Sequence, residues 1–176
     1  AALDSLKARG LVYRCFRTRR EIAAALPAGA SPDTAGFTGK PLPLDKEQDL
    51  LDRGHAYAWR LSLSAARAEL GPEYDALSYT VFTSCGQHEV KADPAPFGDV
   101  VLARKDTPTS YHLACCHDDS LQGITHVVRG EDLGTRPAAG ADGLATASLC
   151  LSSARFGGRW QEIVQACRGP GIACMA

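Results

Sequence analysis

The fold is decided by residues 97–133, FGDVVLARKDTPTSYHLACCHDDSLQGITHVVRGEDL. Residues 97–103 alternate and then run apolar, which is typical of a strand buried against helices. The charged residues 104–106 end this strand, and residues 107–109 predict a turn, because their proline fixes φ and removes a donor. The hydroxyls of that turn can cap the element that begins at Ser110.

The second half of this stretch predicts a helix and another strand. Residues 111–116 indicate a short helix, or the start of a strand, that closes on Asp118 and Asp119. Residues 123–129 are rich in β-branched side chains and stop at the polar group 129–132. The simplest interpretation is a strand, a helix and a strand in one parallel sheet. Polar residues that follow such strands meet at the carboxyl edge of the sheet, where doubly wound folds bind ligands.

Arg129 and Tyr111 are the candidate substrate-binding residues at this edge. Arginine suits a carboxylate ligand because its planar guanidinium can make two parallel hydrogen bonds. Tyr111 could offer a hydroxyl to the same ligand. Two alternatives stay open: Arg129 pairs with Asp118, Asp119 or Glu131, and Tyr111 is a half-buried core aromatic.

The amino-acid sequence of this stretch resembles that of a known family. LARKDTPTSYHLA and DDSLQGITHVVRGEDL resemble the catalytic core of the class I glutamyl synthetases. YHLA, QG and EDL at these places are similar to the short glutamyl-Q tRNA(Asp) synthetases, whereas full glutamyl-tRNA synthetases more often read YNFA and GITHVIRGEDH. In the family, the residues that match Tyr111 and Arg129 contact the substrate glutamate. The resemblance implies the same role here, with no catalytic residue of the family in this chain.

The resemblance also implies the architecture and the activity. It implies an α/β fold, a partial class I (Rossmann-type) aminoacyl-tRNA synthetase core with a small α+β insertion. The second half of that core would be residues 1–133, with the insertion at about 27–96. The implied activity is that of an ATP-dependent ligase, which activates glutamate and transfers it to the queuosine of tRNA(Asp). Alternatives are a fragment of a glutamyl-tRNA synthetase, or a noncatalytic remnant with weak tRNA or partner binding.

Composition sets further expectations. The 176 residues carry a formal net charge of −1, so any contact with tRNA would have to be local rather than a global electrostatic effect. No apolar run approaches the roughly 18 residues of a membrane span, which predicts a cytoplasmic protein, and we expect a monomer with no membrane partner. The seven cysteines form no CxxC pair and no disulfide framework, which indicates reduced thiols.

Local signals predict the elements before residue 97. Residues 1–9 indicate a helix that stops at Gly10, and residues 11–15 a short strand. Thr18 predicts the cap of a helix through Leu26, because Glu21 stands three residues later and completes a capping box.

Three further predictions cover the middle of the chain. Residues 45–53 predict an amphipathic helix that stops at Gly54, and residues 55–63 predict a strand. Residues 79–83 and 88–91 predict two antiparallel strands.

Zinc is a feature of the family that this sequence departs from. The family pattern is Cys-x-Cys followed by Tyr-x-x-x-Cys, and only Cys15 survives here. Arg17 stands at the second cysteine, Phe37 at the tyrosine and Pro41 at the last cysteine. Tetrahedral zinc needs four donors, so we predict that zinc is lost and that Cys15 is a small buried hydrophobe.

The tail after Leu133 changes character. Residues 134–145 lack a helical period, and residues 155–176 mix Cys, Gly, Trp and Pro in a pattern that specifies neither strand nor helix. The family's lysine-bearing ATP loop does not appear here, and no HIGH-type motif precedes residue 11. We interpret residues 134–176 as an atypical, out-of-frame tail, and we expect this chain as given to be inactive.

Overall fold

The computed structural model of the chain describes residues 2–25, 36–83, 86–122 and 124, and the backbone of strands 126–130, 162–165 and 172–175. The helices are α1 Ala2–Ala8, α2 Arg19–Ala25, α3 Leu44–Asp52, α4 Leu63–Leu70, α5 Pro72–Asp75 and α6 Tyr111–Gln122. The strands are β1 Val12–Cys15, β2 Ala58–Leu61, β3 Ser78–Thr83, β4 Gly86–Lys91, β5 Val101–Arg104, β6 His126–Gly130, β7 Glu162–Gln165 and β8 Ile172–Met175.

The chain divides into two compact units. The first unit comprises residues 1–66 and 95–114, and the second unit comprises residues 67–94 and 115–176. The predicted domain limits, 1–133 with an insertion at about 27–96 and then 134–176, stay a prediction.

The first unit is built on an antiparallel sheet of order β1-β2-β5. Its core is aliphatic, because Leu11, Leu61 and Leu102 are each at most 1% exposed. Full burial of such a side chain contributes about 1.5–3 kcal/mol relative to leaving it in water. These three residues are therefore part of the hydrophobic core of the first unit.

Helix boundaries in the first unit follow the local sequence signals. Gly10 has φ of 69°, the left-handed conformation that ends α1 as predicted. The capping box before α2 is confirmed: the Thr18 backbone N–H donates to Glu21 Oε2 at 2.7 Å, and the Glu21 N–H donates to Thr18 Oγ1 at 3.3 Å. Helix α3 precedes Gly54, whose φ of 77° matches the predicted stop.

The predicted strand over residues 55–63 is shorter than expected, because Ser62 begins a helix that was not predicted. The Ala65 N–H donates to Ser62 Oγ at 3.2 Å, an N-cap that starts α4 and ends β2 at Leu61. Helix α5 was also not predicted; it begins with Pro72 at its first position, after Gly71 in a left-handed conformation.

The second unit contains a five-stranded sheet of order β4-β3-β7-β6-β8. Strands β3 and β4 pair antiparallel from Ser78↔Lys91 to Thr83↔Gly86, which confirms the predicted hairpin. Strand β3 also pairs parallel with β7 and antiparallel with β8.

The deciding stretch forms the predicted order of strand, helix and strand, but the prediction of one parallel sheet is wrong. Strand β5 pairs antiparallel with β2, whereas β6 pairs with β7 and β8 in the other sheet. The Leu61 N–H also donates to the Val100 carbonyl at 3.0 Å, just before β5. Strand β5 also starts later than predicted, because a short 3₁₀ turn, Ala95–Phe97, precedes it.

Helix α6 is longer than predicted. Ser110 caps it, since the Leu113 N–H donates to Ser110 Oγ at 3.3 Å and the Ala114 N–H to the Ser110 carbonyl at 3.0 Å. The helix then continues through Asp118 and Asp119 to Gln122 instead of closing on the two aspartates. A helix of 12 residues rather than six separates the two strands.

The tail contains two strands, so the prediction that residues 155–176 form neither strand nor helix is wrong for β7 and β8. Their sequences, EIVQ and IACM, each contain a β-branched pair or apolar run that fits a pleated surface. Strands β7 and β8 each pair with β3 and β6, although the composition around them predicts no regular structure. The remainder of the tail, and with it most of the out-of-frame hypothesis, lies outside the described residues.

Among the helices that the structure describes, none combines the length and apolar character needed to cross a membrane.

Candidate functional site

Tyr111 is the first residue of α6 and is 70% exposed. The turn over residues 107–109 and the Ser110 cap place it there, with its ring edge-on to the His112 ring at 6.5 Å between centroids. The alternative of a half-buried core aromatic is therefore wrong. An exposed phenol at the first turn of a helix is accessible to a small polar ligand.

Arg129 is the penultimate residue of β6, where its backbone faces Ala173 of β8. This position at the carboxyl end of a strand agrees with the predicted one. Tyr111 belongs to the first unit and Arg129 to the second unit. The alternative ion pairs of Arg129 lie outside the described residues, so the glutamate-binding role of both residues stays a prediction.

Asp118 and Asp119 lie within α6 rather than in a loop. The carbonyl of Asp119 accepts a hydrogen bond from the Ile124 N–H at 2.9 Å. This bond closes the carboxyl end of the helix and turns the chain toward β6. Asp119 thus helps order the connection between helix and strand through its backbone.

A buried carboxylate, Asp99, is the main polar feature that sequence reasoning missed. Asp99 is 3% exposed, and its Oδ2 accepts hydrogen bonds from the Tyr13 hydroxyl and the Gly39 N–H, both at 2.7 Å. Its Oδ1 accepts from the Leu63 N–H at 3.0 Å, at the start of α4. The available signal was an aspartate inside a predicted buried strand, where an acid is rare unless its oxygens are hydrogen-bonded.

The backbone of Asp99 completes this cluster of contacts. Its N–H donates to the Phe37 carbonyl at 2.7 Å, and its carbonyl accepts from Arg60 Nη1 at 2.6 Å. Burial, followed by the hydrogen bond to Asp99, raises the pKa of Tyr13 well above its ordinary value. The phenol is therefore a neutral donor at physiological pH. Asp99 links β1, β2, Leu63 at the start of α4, and residues 37–39.

The four positions of the family zinc pattern lie around one cavity of about 460 Å³, which Cys15, Arg17, Phe37 and Pro41 all line. Cys15 is 6% exposed and is the single thiol among them. Guanidinium, phenyl and pyrrolidine groups offer no lone pair to zinc at neutral pH, so these side chains do not fit the metal. The described part of the chain contains no group of three or more His, Cys, Asp or Glu side chains placed to hold a metal.

Comparisons with known proteins agree with the resemblance seen in the motifs. The family of class I tRNA synthetases (E and Q), catalytic domain, matches residues 2–139, a range that contains Tyr111 and Arg129. A glutamyl-Q tRNA(Asp) synthetase from Rhodobacter capsulatus is 38% identical over 138 residues, which are 75% of this chain and 48% of the relative. Another from Burkholderia orbicola is 39% identical over 143 residues, 76% of this chain and 40% of the relative.

Two further proteins are more distant matches. A glutamate–tRNA ligase from Exiguobacterium sibiricum is 30% identical over 133 residues, 73% of this chain and 25% of the relative. The crystal structure of a glutamate–tRNA synthetase from Elizabethkingia anophelis superposes with a TM-score of 0.54 at 20% identity, over 94% of this chain and 32% of that one. This likeness shows the fold.

The chain spans less than half the length of these curated relatives. The family match begins at α1 and extends past β6. The predicted fold class, a partial class I synthetase core of α/β type, is confirmed. This chain belongs to the class I tRNA synthetases of the glutamate and glutamine type, in their catalytic domain.

Proposed function

We propose that this chain carries the glutamate-binding part of an enzyme that activates glutamate with ATP and transfers it to the queuosine of tRNA(Asp). The observation that supports this most is the identity of 38–39%, over about three quarters of the chain, to relatives named glutamyl-Q tRNA(Asp) synthetase. The proposed protein is a cytoplasmic monomer, and its partners are glutamate, ATP and tRNA(Asp).

The chemistry assigned to this chain is the positioning of glutamate. In activation, a carboxylate oxygen of glutamate attacks the α-phosphorus of ATP, a phosphorus–oxygen bond forms, and pyrophosphate leaves with the electron pair. Arg129 would hold a carboxylate through two parallel hydrogen bonds, and the exposed hydroxyl of Tyr111 would fix the orientation of the amino acid. ATP is a substrate of the proposed reaction, and its phosphate contacts are assigned to segments other than those described here.

A second candidate is a part of a glutamyl-tRNA synthetase, which the Exiguobacterium relative favours. A noncatalytic remnant is the third. The first two share activation and differ only in the acceptor, so the acceptor is the property to measure.

The test joins residues 1–133 to all of the segments of the Rhodobacter relative that this chain does not match, so that the family's ATP-binding loops are supplied. Glutamate-dependent exchange of pyrophosphate into ATP reports activation, and labelled glutamate on tRNA(Asp) with and without queuosine reports transfer. We expect exchange, and transfer only to the queuosine-containing tRNA. Transfer to tRNA(Glu) would favour the second candidate, and no exchange in a folded fusion would favour the remnant.

A further inference from the structure

The zinc positions of this chain are occupied by side chains that interact with each other without a metal. The guanidinium carbon of Arg17 lies 5.7 Å from the centre of the Phe37 ring, and that of Arg60 lies 5.0 Å from the same centre. Both distances are within the range of cation–π attraction. Phe37 therefore interacts with the segment after β1 through Arg17 and with β2 through Arg60.

The backbone around Phe37 is fixed as closely as its ring. Phe37 forms a parallel bridge with Gly98, and its carbonyl accepts the Asp99 N–H. A Cβ on Gly36 would lie 2.4 Å from the Gly98 nitrogen, and a Cβ on Gly98 would lie 2.5 Å from the Gly36 carbonyl carbon. The two glycines thus let the backbone segments around Gly36 and Gly98 approach more closely than any side chain at these positions would permit.

The following residues are tied to β1 by a buried hydrogen-bonded group. Gly39 and Tyr13 donate to the same oxygen of Asp99, and a Cβ on Gly39 would lie 2.4 Å from the Tyr13 hydroxyl. Residues 36–39 therefore contact residues 98–99 through the backbone, Arg17 and Arg60 through the Phe37 ring, and Tyr13 of β1 through the shared Asp99 carboxylate. This is the connection that four zinc ligands would make, since they would link residues 15–17 to residues 37–41.

We propose that the Phe37 cluster, defined as Arg17, Phe37, Arg60 and Asp99, replaces zinc as the link between β1 and residues 36–41. The protein then folds without zinc, and its stability does not respond to chelators. The inference concerns the structure of the first unit and is independent of the proposed activity.

The first experiment measures metal content and thermal unfolding of the purified 176-residue chain. We expect far less than one equivalent of zinc, and the same unfolding midpoint with EDTA, with one equivalent of Zn²⁺, and with neither. A stoichiometric zinc, or a midpoint that EDTA lowers, would overturn the inference.

The second experiment removes the aromatic ring while keeping an apolar side chain. Phe37→Leu should lower the unfolding midpoint by about 2–4 °C, because two cation–π contacts are lost. Phe97→Leu is the matched control, since Phe97 is equally half-buried, lies in the same unit and is outside the cluster. Equal shifts in the two variants would contradict a specific role for Phe37.

The third experiment restores the family donors. The combined variant Arg17→Cys, Phe37→Tyr and Pro41→Cys gives three new donors around the cavity that Cys15 already lines. We expect it to bind about one zinc and to become sensitive to EDTA. Failure of a folded variant to take up zinc would show that the cluster does not occupy the place of the metal, and would overturn the proposal.

Discussion

At the scale of single residues, the buried carboxylate of Asp99 and its donor Tyr13 connect separate segments of the first unit by hydrogen bonds. Three donors share the two carboxylate oxygens of Asp99, and it is 3% exposed. A buried acceptor is stabilising only while its donors remain, because each lost partner leaves a polar atom without compensation.

Tyr13→Phe tests this arrangement with a minimal change. It should lower the free energy of unfolding by about 1–2 kcal/mol, since Asp99 loses one of its donors while the ring volume stays. Urea unfolding measures the loss, and Tyr111→Phe is the control because Tyr111 is exposed and should leave stability unchanged.

The raised pKa of Tyr13 adds a pH test. A raised pKa contributes stability below the ordinary tyrosine pKa of about 10, and this contribution disappears as pH rises toward the folded-state value. The wild type should therefore lose more stability above pH 10 than Tyr13→Phe.

Tyr111 and Arg129 are the residues on which the proposed activity depends. In the fusion described above, Tyr111→Phe should raise the KM for glutamate roughly 3- to 10-fold through loss of one hydrogen bond. Arg129→Lys should raise it roughly 10- to 100-fold, because lysine cannot make the parallel pair of bonds. Pyrophosphate exchange at varied glutamate measures both, with the KM for ATP as the internal control. A change confined to ATP would remove both residues from the glutamate site.

At the scale of elements, the capping box of α2 is the clearest local device. Hydrogen bonds from the Thr18 backbone N–H and hydroxyl lower the pKa of Glu21 below its ordinary value. A lowered carboxyl pKa contributes stability above the unfolded-state value of about 4.3, and the contribution is lost as pH falls through the folded-state pKa.

Thr18→Ala should lower the free energy of unfolding by about 1 kcal/mol, because the Glu21 N–H loses its acceptor at the cap. The destabilisation by Glu21→Gln should be present at pH 6 and should shrink below about pH 4, where the wild-type glutamate also becomes neutral. Urea unfolding at several pH values checks both variants. A difference between wild type and Glu21→Gln that is independent of pH would show that the charge of Glu21 has no role in the cap.

Elements with a local signal could be predicted from the sequence, and elements chosen by distant partners could not. Gly10, Gly54 and the capping box marked helix ends correctly because the signal and its effect lie within a few residues. The partners of β5 and β6 lie far away in sequence, in β2 and in β7 and β8, so the local pattern wrongly predicted that these two strands share one parallel sheet. The family motifs single out Tyr111 and Arg129 as candidates whose role stays a prediction, whereas the local sequence pattern did not indicate the several hydrogen-bond partners of Asp99.

At the scale of the whole molecule, the proposed activity depends on phosphate contacts that we assign to segments other than the described residues. Stabilising the charge that develops on the α-phosphate needs preorganised donors, and loss of one such donor typically costs about 2.7–4 kcal/mol. We therefore expect the 176-residue chain alone to give no detectable glutamate-dependent pyrophosphate exchange. The fusion with the Rhodobacter segments is the positive control for this assay. Exchange by the isolated chain would refute the assignment of the phosphate contacts to other segments.

The hydrogen bond between Tyr13 and Asp99 joins residues that are 86 positions apart. During synthesis, β1 and β2 leave the ribosome well before β5, which completes their sheet. At about 5–20 residues per second, β2 waits roughly 2–9 s with one edge of backbone N–H and C=O groups unpaired. Closing so long a loop is also slow, because the entropy of the intervening chain must be lost before the contact forms. The nascent chain is therefore most open to pairing with its neighbours on the same messenger RNA during this interval, and a chaperone that covers the edge of β2 would raise the yield of folded protein.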